Sequence, residues 1–283
     1  MYIFMTFVVP VLVMAGLSVI LAFSLSFLGE KMAIDRDARI DEIARNLSGA
    51  NCGGCGYAGC DAFAEALFKG EAKLSACNPT SAANKKNIAR ILGMSEEKSR
   101  ETVAVVHCIG GNACRNKYAY QGFGDCESAE LLAGGNKACF TGCMGLGTCT
   151  DSCKYSAISV NKDTAVSEVD YTHCVSCGAC VAACPKKIIG RIPKDAKVYV
   201  GCSNTNKGRA ITEVCTKGCI ACGKCEKNCP TGAIALSNNL AVIDYDKCIG
   251  CMRCVELCPR GCILAFDLNA HAKHSRKKES VSA

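Results

Sequence analysis

The chain has little of what proteins use to make and break bonds. Among 283 residues there are four histidines, at 107, 173, 271 and 274, and they are scattered. No His, Asp and Ser constellation suggests hydrolysis. No G-x-G-x-x-G stands between a strand and a helix pattern, which excludes a dinucleotide loop. The nearest glycine-rich run, Gly142 to Gly147, is threaded with cysteine and is not a phosphate cradle. Tryptophan is absent, and aromatic residues make up only 6% of the chain.

What the chain has instead is 26 cysteines. Cysteine-dense disulfide scaffolds are short, secreted and irregularly spaced. Here the spacings are those of metal ligands, which requires reduced thiols and a body that faces the cytosol. The formal net charge is +7 with thiols counted as neutral. A four-cysteine iron–sulfur cubane carries about −2, so five of them would bring the chain to about −3. The basic residues then balance clusters, and nucleic acid is excluded as a partner.

The clearest motif is Cys219, Cys222, Cys225 and Cys229-Pro230, repeated at Cys248, Cys251, Cys254 and Cys258-Pro259. The spacing C-x2-C-x2-C-x3-C-P resembles that of bacterial two-cluster ferredoxins. Zinc also uses paired C-x2-C, and it is the competing reading. The ferredoxin resemblance implies crossed ligation, in which the fourth cysteine serves the other motif's cluster. The sets it implies are Cys219, Cys222, Cys225 with Cys258, and Cys248, Cys251, Cys254 with Cys229. An earlier unit has a regular second motif, Cys174, Cys177, Cys180 and Cys184-Pro185, and an irregular first one at Cys139, Cys143, Cys149 and Cys153. By the same rule Cys139, Cys143, Cys149 and Cys184 form one set. Cys153, Cys174, Cys177 and Cys180 form the other. An isoleucine recurs shortly after each fourth cysteine, which suits the start of a short strand. Val166 to Val169 and Leu240 to Ile243 read as connecting strands, and Val198 to Val200 as one more.

Residues 3 to 28 carry no charge. The run is long enough to span a bilayer. It lacks the basic start and short apolar core of a signal peptide. Lys31, Arg36, Arg39 and Arg45 follow it, which places the body in the cytoplasm, on the inner side of the cell membrane. Residues 34 to 47 read as an amphipathic helix. Cys52, Cys55, Cys60 and Cys77 then make a compact, glycine-rich four-thiol segment, with Asp61 to Phe68 as a short helix inside it. This reads as a self-contained [4Fe-4S] site, with structural zinc as the alternative. Cys108, Cys114 and Cys126 are widely spaced. They fit either a further metal completed by Cys202 or Cys215, or buried inert thiols, and none is carried as a ligand. Residues 271 to 283 read as a basic, solvated tail.

An uncharged anchor, the Cys-Gly-Gly-Cys-Gly-Tyr-Ala-Gly-Cys segment at 52 to 60 and ferredoxin motifs, in that order, resemble the iron–sulfur subunit of the Rnf complex, its B component. That complex is a membrane-bound, ion-translocating ferredoxin:NAD oxidoreductase. The resemblance implies reduced soluble ferredoxin as electron donor, other membrane subunits of an Rnf-like complex as partners, and no complete active site on this chain. A ferredoxin-type subunit of a different membrane oxidoreductase and an iron–sulfur redox sensor are the rival readings.

The expected architecture is α+β: a single N-terminal transmembrane helix, a small 4Fe-4S domain and two tandem ferredoxin-like domains. The expected bounds are 1–29 for the anchor, 30–80 for the first cluster domain and 81–135 for a connecting region. The two ferredoxin-like units follow at 136–205 and 206–270, and the tail at 271–283. About five [4Fe-4S] clusters, hence about 20 iron atoms, are expected.

Overall fold

A computed structural model describes residues 9–32, 37–94 and 100–268. The basic tail and the first residues of the uncharged run lie outside them. The fold is α+β, made of short pieces.

The N-terminal helix α1 spans Val9–Met32. Its described side chains, Val11 to Phe27, are all exposed. Among the described residues no helix is long and apolar enough to cross a membrane. The expected span is therefore not recovered as such. The helix backbone of α1 covers 24 residues, but its side chains are described only from Val11 to Phe27.

Helix α2 (Ala38–Asn46) starts where the Asp37 carboxylate accepts the Arg39 N–H, which satisfies one of the free donors of a first turn. Helix α3 (Cys60–Phe68) and α4 (Ala82–Leu92) complete a three-helix knot. Ser81 caps α4 through the Asn84 N–H, and Gly93 ends it in a left-handed conformation. Ile40, Ile43, Phe63, Leu67 and Ile88 form its core. These are the apolar faces that helical spacing demands.

The rest is two copies of one plan. In the first, β1 (Thr102–Val106) pairs antiparallel with β4 (Ile189–Pro193). Between them β2 (Ile158–Asn161) and β3 (Val166–Val169) form a hairpin. In the second, β5 (Val198–Val200) pairs with β8 (Ile263–Ala265), and β6 (Ile234–Ser237) with β7 (Leu240–Ile243). First strand pairs with last in both. The pairing sets the first unit's edge at Thr102 and the second's at Val198, earlier than the bounds of 136 and 206 expected from the cysteines. An opening strand carries no cysteine, so the motif spacing could not reveal it.

The helices of the two units are single turns: α6 (Thr148–Asp151), α7 (Ala179–Ala183), α9 (Lys224–Lys227) and α10 (Arg253–Glu256). Helix α5 (Cys126–Leu131) precedes the first unit's motifs, and α8 (Gly208–Val214) the second's. Strand residues Val103, Val105, Ile158, Val169 and Ile192 fill one core, and Val198, Val200, Ile234 and Ile263 the other. The units touch through Phe266, whose ring lies 4.6 Å from Tyr171. Arg100 ties them with ion pairs to Asp195 (2.7 Å) and Asp246 (3.0 Å).

The small helical domain docks on the first unit at Gly54. A Cβ there would run into the Cys177 carbonyl, so only glycine permits the approach. Gly54→Val is expected to weaken docking by roughly 1–3 kcal/mol. Limited proteolysis between residues 94 and 100 should quicken, while the iron content of both parts stays unchanged.

Candidate metal centres

Four turns of backbone repeat around the cysteine motifs. Taking each regular motif's first cysteine as position zero, φ is positive at the second and fourth residues after it. These are Ser176 and Gly178, Ala221 and Gly223, Gly250 and Met252. The irregular motif shows the same pair, Gly145 and Gly147. Its first ligand position is therefore Cys143, and its third is Cys149. Leu146 stands where a second cysteine belongs. After each fourth cysteine the same turn recurs, with Ser156, Lys187, Gly232 and Gly261 at positive φ. Left-handed backbone costs a non-glycine residue about 1 kcal/mol or more. The chain accepts it at Ser176, Ala221, Met252, Ser156 and Lys187 because the turn must face three thiols inward.

The thiols gather in sets. Cys153, Cys174, Cys177 and Cys180 line one cavity, walled by Ala104, Ile158 and Val169. Cys229, Cys248, Cys251 and Cys254 line another, walled by Val198, Ile234 and Ile243. Both groupings are crossed ones. A third cavity is lined by Cys126, Cys143, Cys149 and Cys184. Each leaves about 20 Å³ open, more than the ~10–15 Å³ one water needs. Four thiols facing one such space suit a sulfur-bound inorganic core. Among the described residues no three His, Cys, Asp or Glu side chains are arranged to hold a single ion. A cubane asks for something else, one thiolate to each of four irons.

The third cavity departs from the sequence reading. Cys126 stands with Cys143, Cys149 and Cys184, and Cys139 does not. Cys139 packs instead with Cys114 and Cys215, and accepts a 3.1 Å hydrogen bond from Asn204 Nδ2. Helix α5 brings Cys126 in, its N–H donating to Thr148 Oγ1 at 2.7 Å. The signal for this was present: the repeat's register leaves Leu146 without a thiol.

In the second unit Cys219, Cys225 and Cys262 share a core, and Cys258 Sγ lies 3.6 Å from Cys262 Sγ. Cys222 and Cys251 are exposed, so each unit-two set reaches solvent by one thiol. In the helical domain Cys55, Cys60 and Cys77 face one core. Cys60 N–H donates to Asn51 Oδ1 at 2.7 Å, and Thr80 Oγ1 lies 3.1 Å from Cys77 Sγ.

Burial pushes the Cys180 thiol up to about 12 and Cys225 up to about 11. It also raises Cys143, Cys149, Cys177 and Cys254. A bare thiolate is unwelcome in such walls, and a positive metal core removes that objection. The fourth cysteines differ. Burial opposes ionisation at Cys229 and Cys258 too, yet N–H donors in the following turn outweigh it and lower both. The donors come from Thr231, Ala233 and Ile234 for one, and from Arg260, Cys262 and Ile263 for the other. Ala157 N–H makes the matching bond to Cys153 Sγ, at 3.3 Å. Hydrogen bonds to sulfur are one of the means by which proteins set cluster potentials.

With these centres in view, comparisons with known proteins decide the family. Residues 47–79 match the family model described as "Putative Fe-S cluster". Residues 138–188 and 218–262 match the 4Fe-4S dicluster domain. The B component of the Na(+)-translocating ferredoxin:NAD(+) oxidoreductase complex of Acetobacterium woodii is 40% identical over 240 residues, 84% of this chain and 72% of that one. The chain belongs to the family of B components of these Rnf-type complexes. The B component of the ion-translocating oxidoreductase complex of Methanosarcina acetivorans is also 40% identical, over 83% of this chain and 89% of its own. That of the proton-translocating ferredoxin:NAD(+) oxidoreductase complex of Clostridium ljungdahlii is 36% identical, over 84% of each. Several 4Fe-4S centres are thus this family member's cofactors.

Ligand exchange tests the groupings. Cys126→Ser is expected to disturb the cluster of Cys143, Cys149 and Cys184, and Cys139→Ser to leave it intact, as read by EPR of the reduced protein. In the second unit Cys229→Ser should resemble Cys251→Ser and not Cys222→Ser. Serine is a harder, poorer ligand than thiolate for such iron. The reverse pattern in the first pair would return Cys139 to that set in place of Cys126, and in the second it would mean sequential rather than crossed sets.

Proposed function

We propose that this subunit is the electron-carrying arm of an ion-translocating ferredoxin:NAD(+) oxidoreductase complex. The observation that carries the reading is the succession of thiol sets through the body. The helical domain's segment meets the first unit at Gly54 and Cys177. Tyr155 sits among Cys52, Cys60, Cys153 and Cys177, and Lys154 Nζ reaches Asn51 O at 3.4 Å. Beyond that lie the Cys126 set and the second unit, whose exposed Cys222 and Cys251 end the series.

The sets we assign are Cys52, Cys55, Cys60 and Cys77; Cys153, Cys174, Cys177 and Cys180; Cys126, Cys143, Cys149 and Cys184; Cys219, Cys222, Cys225 and Cys258; and Cys229, Cys248, Cys251 and Cys254. A [4Fe-4S] cluster bound in each supplies reversible one-electron storage. The residues do the rest. They fix the spacing, exclude water with aliphatic walls, and tune the sulfurs by N–H donors.

The donor that fits the names of the relatives is reduced ferredoxin, and the acceptors are other membrane subunits. Relatives of similar identity are named for sodium and for protons, so overall identity to them does not select the ion. Helix α1 is our candidate for the membrane anchor. It is about 36 Å long at 1.5 Å per residue, its described side chains are uncharged and mostly apolar, and basic residues follow it. This puts the body on the cytoplasmic side.

The detergent-purified chain is expected to take electrons from reduced ferredoxin, seen as bleaching of its visible iron–sulfur absorption, and to leave NAD(+) unreduced unless other subunits are added. Turnover of NAD(+) by the chain alone would overturn the division of labour. Protease added to right-side-out vesicles should spare residues 37 to 268, and digestion of the body would defeat the anchor's orientation.

A further inference from the structure

Six cysteines stand outside the five assigned sets: 108, 114, 139, 202, 215 and 262. Four of them converge. Cys108 is 9% exposed, Cys114 4%, Cys139 7% and Cys215 6%. The backbone explains why. Three segments distant in sequence are laced side by side. Arg115 N–H donates to Val214 O (2.8 Å), Thr216 N–H to Ala113 O (3.1 Å) and Ala138 N–H to Arg115 O (2.8 Å). Cys114 and Cys215 are thereby paired across an antiparallel bridge, and Cys139 follows Ala138. The Cys114 side chain is within hydrogen-bonding reach of both Cys139 and Cys215. Gly110 closes the ring. A Cβ there would stand 3.2 Å from Cys215 Sγ and 3.7 Å from Cys108 Sγ.

We propose that Cys108, Cys114, Cys139 and Cys215 bind a sixth iron–sulfur cluster, lying between the two ferredoxin-like units. The surroundings suit an anionic cluster. Asn204, 1% exposed, directs its amide N–H at Cys139 Sγ. The N–H groups of Gly110 and Gly111 face Cys108, and those of Lys217 and Gly218 face Cys215. Lys137, 5% exposed, sits beside the set with Nζ on the Gly111 carbonyl at 3.0 Å. A buried ammonium is costly unless it faces negative charge, and a four-thiolate cubane offers about −2.

Position argues for iron–sulfur over zinc. On one side Cys143, in the Cys126 set, donates its N–H to Cys108 Sγ at 3.4 Å. On the other, Cys219 N–H donates to Cys202 Sγ at 3.4 Å, and Cys202 neighbours Cys139. The site thus touches a ligand of unit one and reaches a ligand of unit two through one thiol. A redox centre there takes one electron and passes on one, with no bond made or broken.

This inference rests on the five-set reading above, and the experiment separates the two. Anaerobically purified or reconstituted full-length protein is analysed for iron, sulfide and zinc. About 24 iron atoms per chain are expected for six clusters, and about 20 for five. Cys114→Ser with Cys215→Ser should remove about one sixth of the iron and leave the EPR signals of the other sets. Cys202→Ser should leave the count unchanged. About 20 iron atoms in wild type and double variant alike overturn the sixth site, as does one zinc lost in the double variant. A count of about 24 that the double variant keeps also overturns it, because the cluster would then lie elsewhere. A count well below about 20 in wild type would instead fault the five-set reading. The wild-type count needs no variant to fold.

Discussion

One constraint governs the body of this protein: three thiolates from a short stretch of chain must each reach a different iron. That requires two left-handed residues, one on either side of the second ligand position, and a single helical turn to carry the third. The chain adopts this turn four times, with three thiols at Ser176 and Gly178, Ala221 and Gly223, and Gly250 and Met252, and with two at Gly145 and Gly147, where Leu146 holds the middle position. Everything else is short as a consequence. Helices of four or five residues and strands of three to five cannot bury a large apolar core by themselves. The inorganic cores complete it, so cluster binding and folding are coupled as in other small metal domains.

Charge follows from the same requirement. Thiolates within aliphatic walls are disfavoured until iron arrives, and the filled sites carry net negative charge. The chain answers with buried and half-buried cations beside its centres. Lys186 lines the Cys126 cavity; its side chain is 3% exposed, with Nζ 2.6 Å from Glu130 and 4.6 Å from the Phe140 ring centre. Lys137 sits by the site between the units. Arg260 follows Cys258 and donates to the Gly218 and Cys215 carbonyls. The formal +7 of the sequence is thus in part interior charge, placed where clusters are.

Much of this was legible in the sequence because spacing is the physics of a cubane. The strands at Val166 to Val169 and Leu240 to Ile243 stand where the hairpin pattern put them. The residue five places after each fourth cysteine, Ile158, Ile189, Ile234 and Ile263, opens a strand. The opening strands at Thr102 and Val198 were illegible as unit boundaries, since their partners β4 and β8 lie at the far ends of their units. Cys126 was illegible for the opposite reason. It has no motif of its own, and only the gap at Leu146 points to it.

That gap also bears on one of the remaining thiols, Cys139. In each unit the chain between the opening strand and the first motif is free of the cubane's spacing. In unit one it runs from 107 to 142 and holds Cys108, Cys114, Cys126 and Cys139. In unit two it runs from 201 to 218 and holds Cys202 and Cys215. In the sets we propose, Cys126 stands in for the residue at 146 and Cys139 falls outside the first unit's own set. Backbone hydrogen bonds then draw it beside Cys114 and Cys215. One substitution within a repeat thus relates two features that look separate in sequence: a ligand recruited from a distant helix, and a spare thiol at the seam between the units.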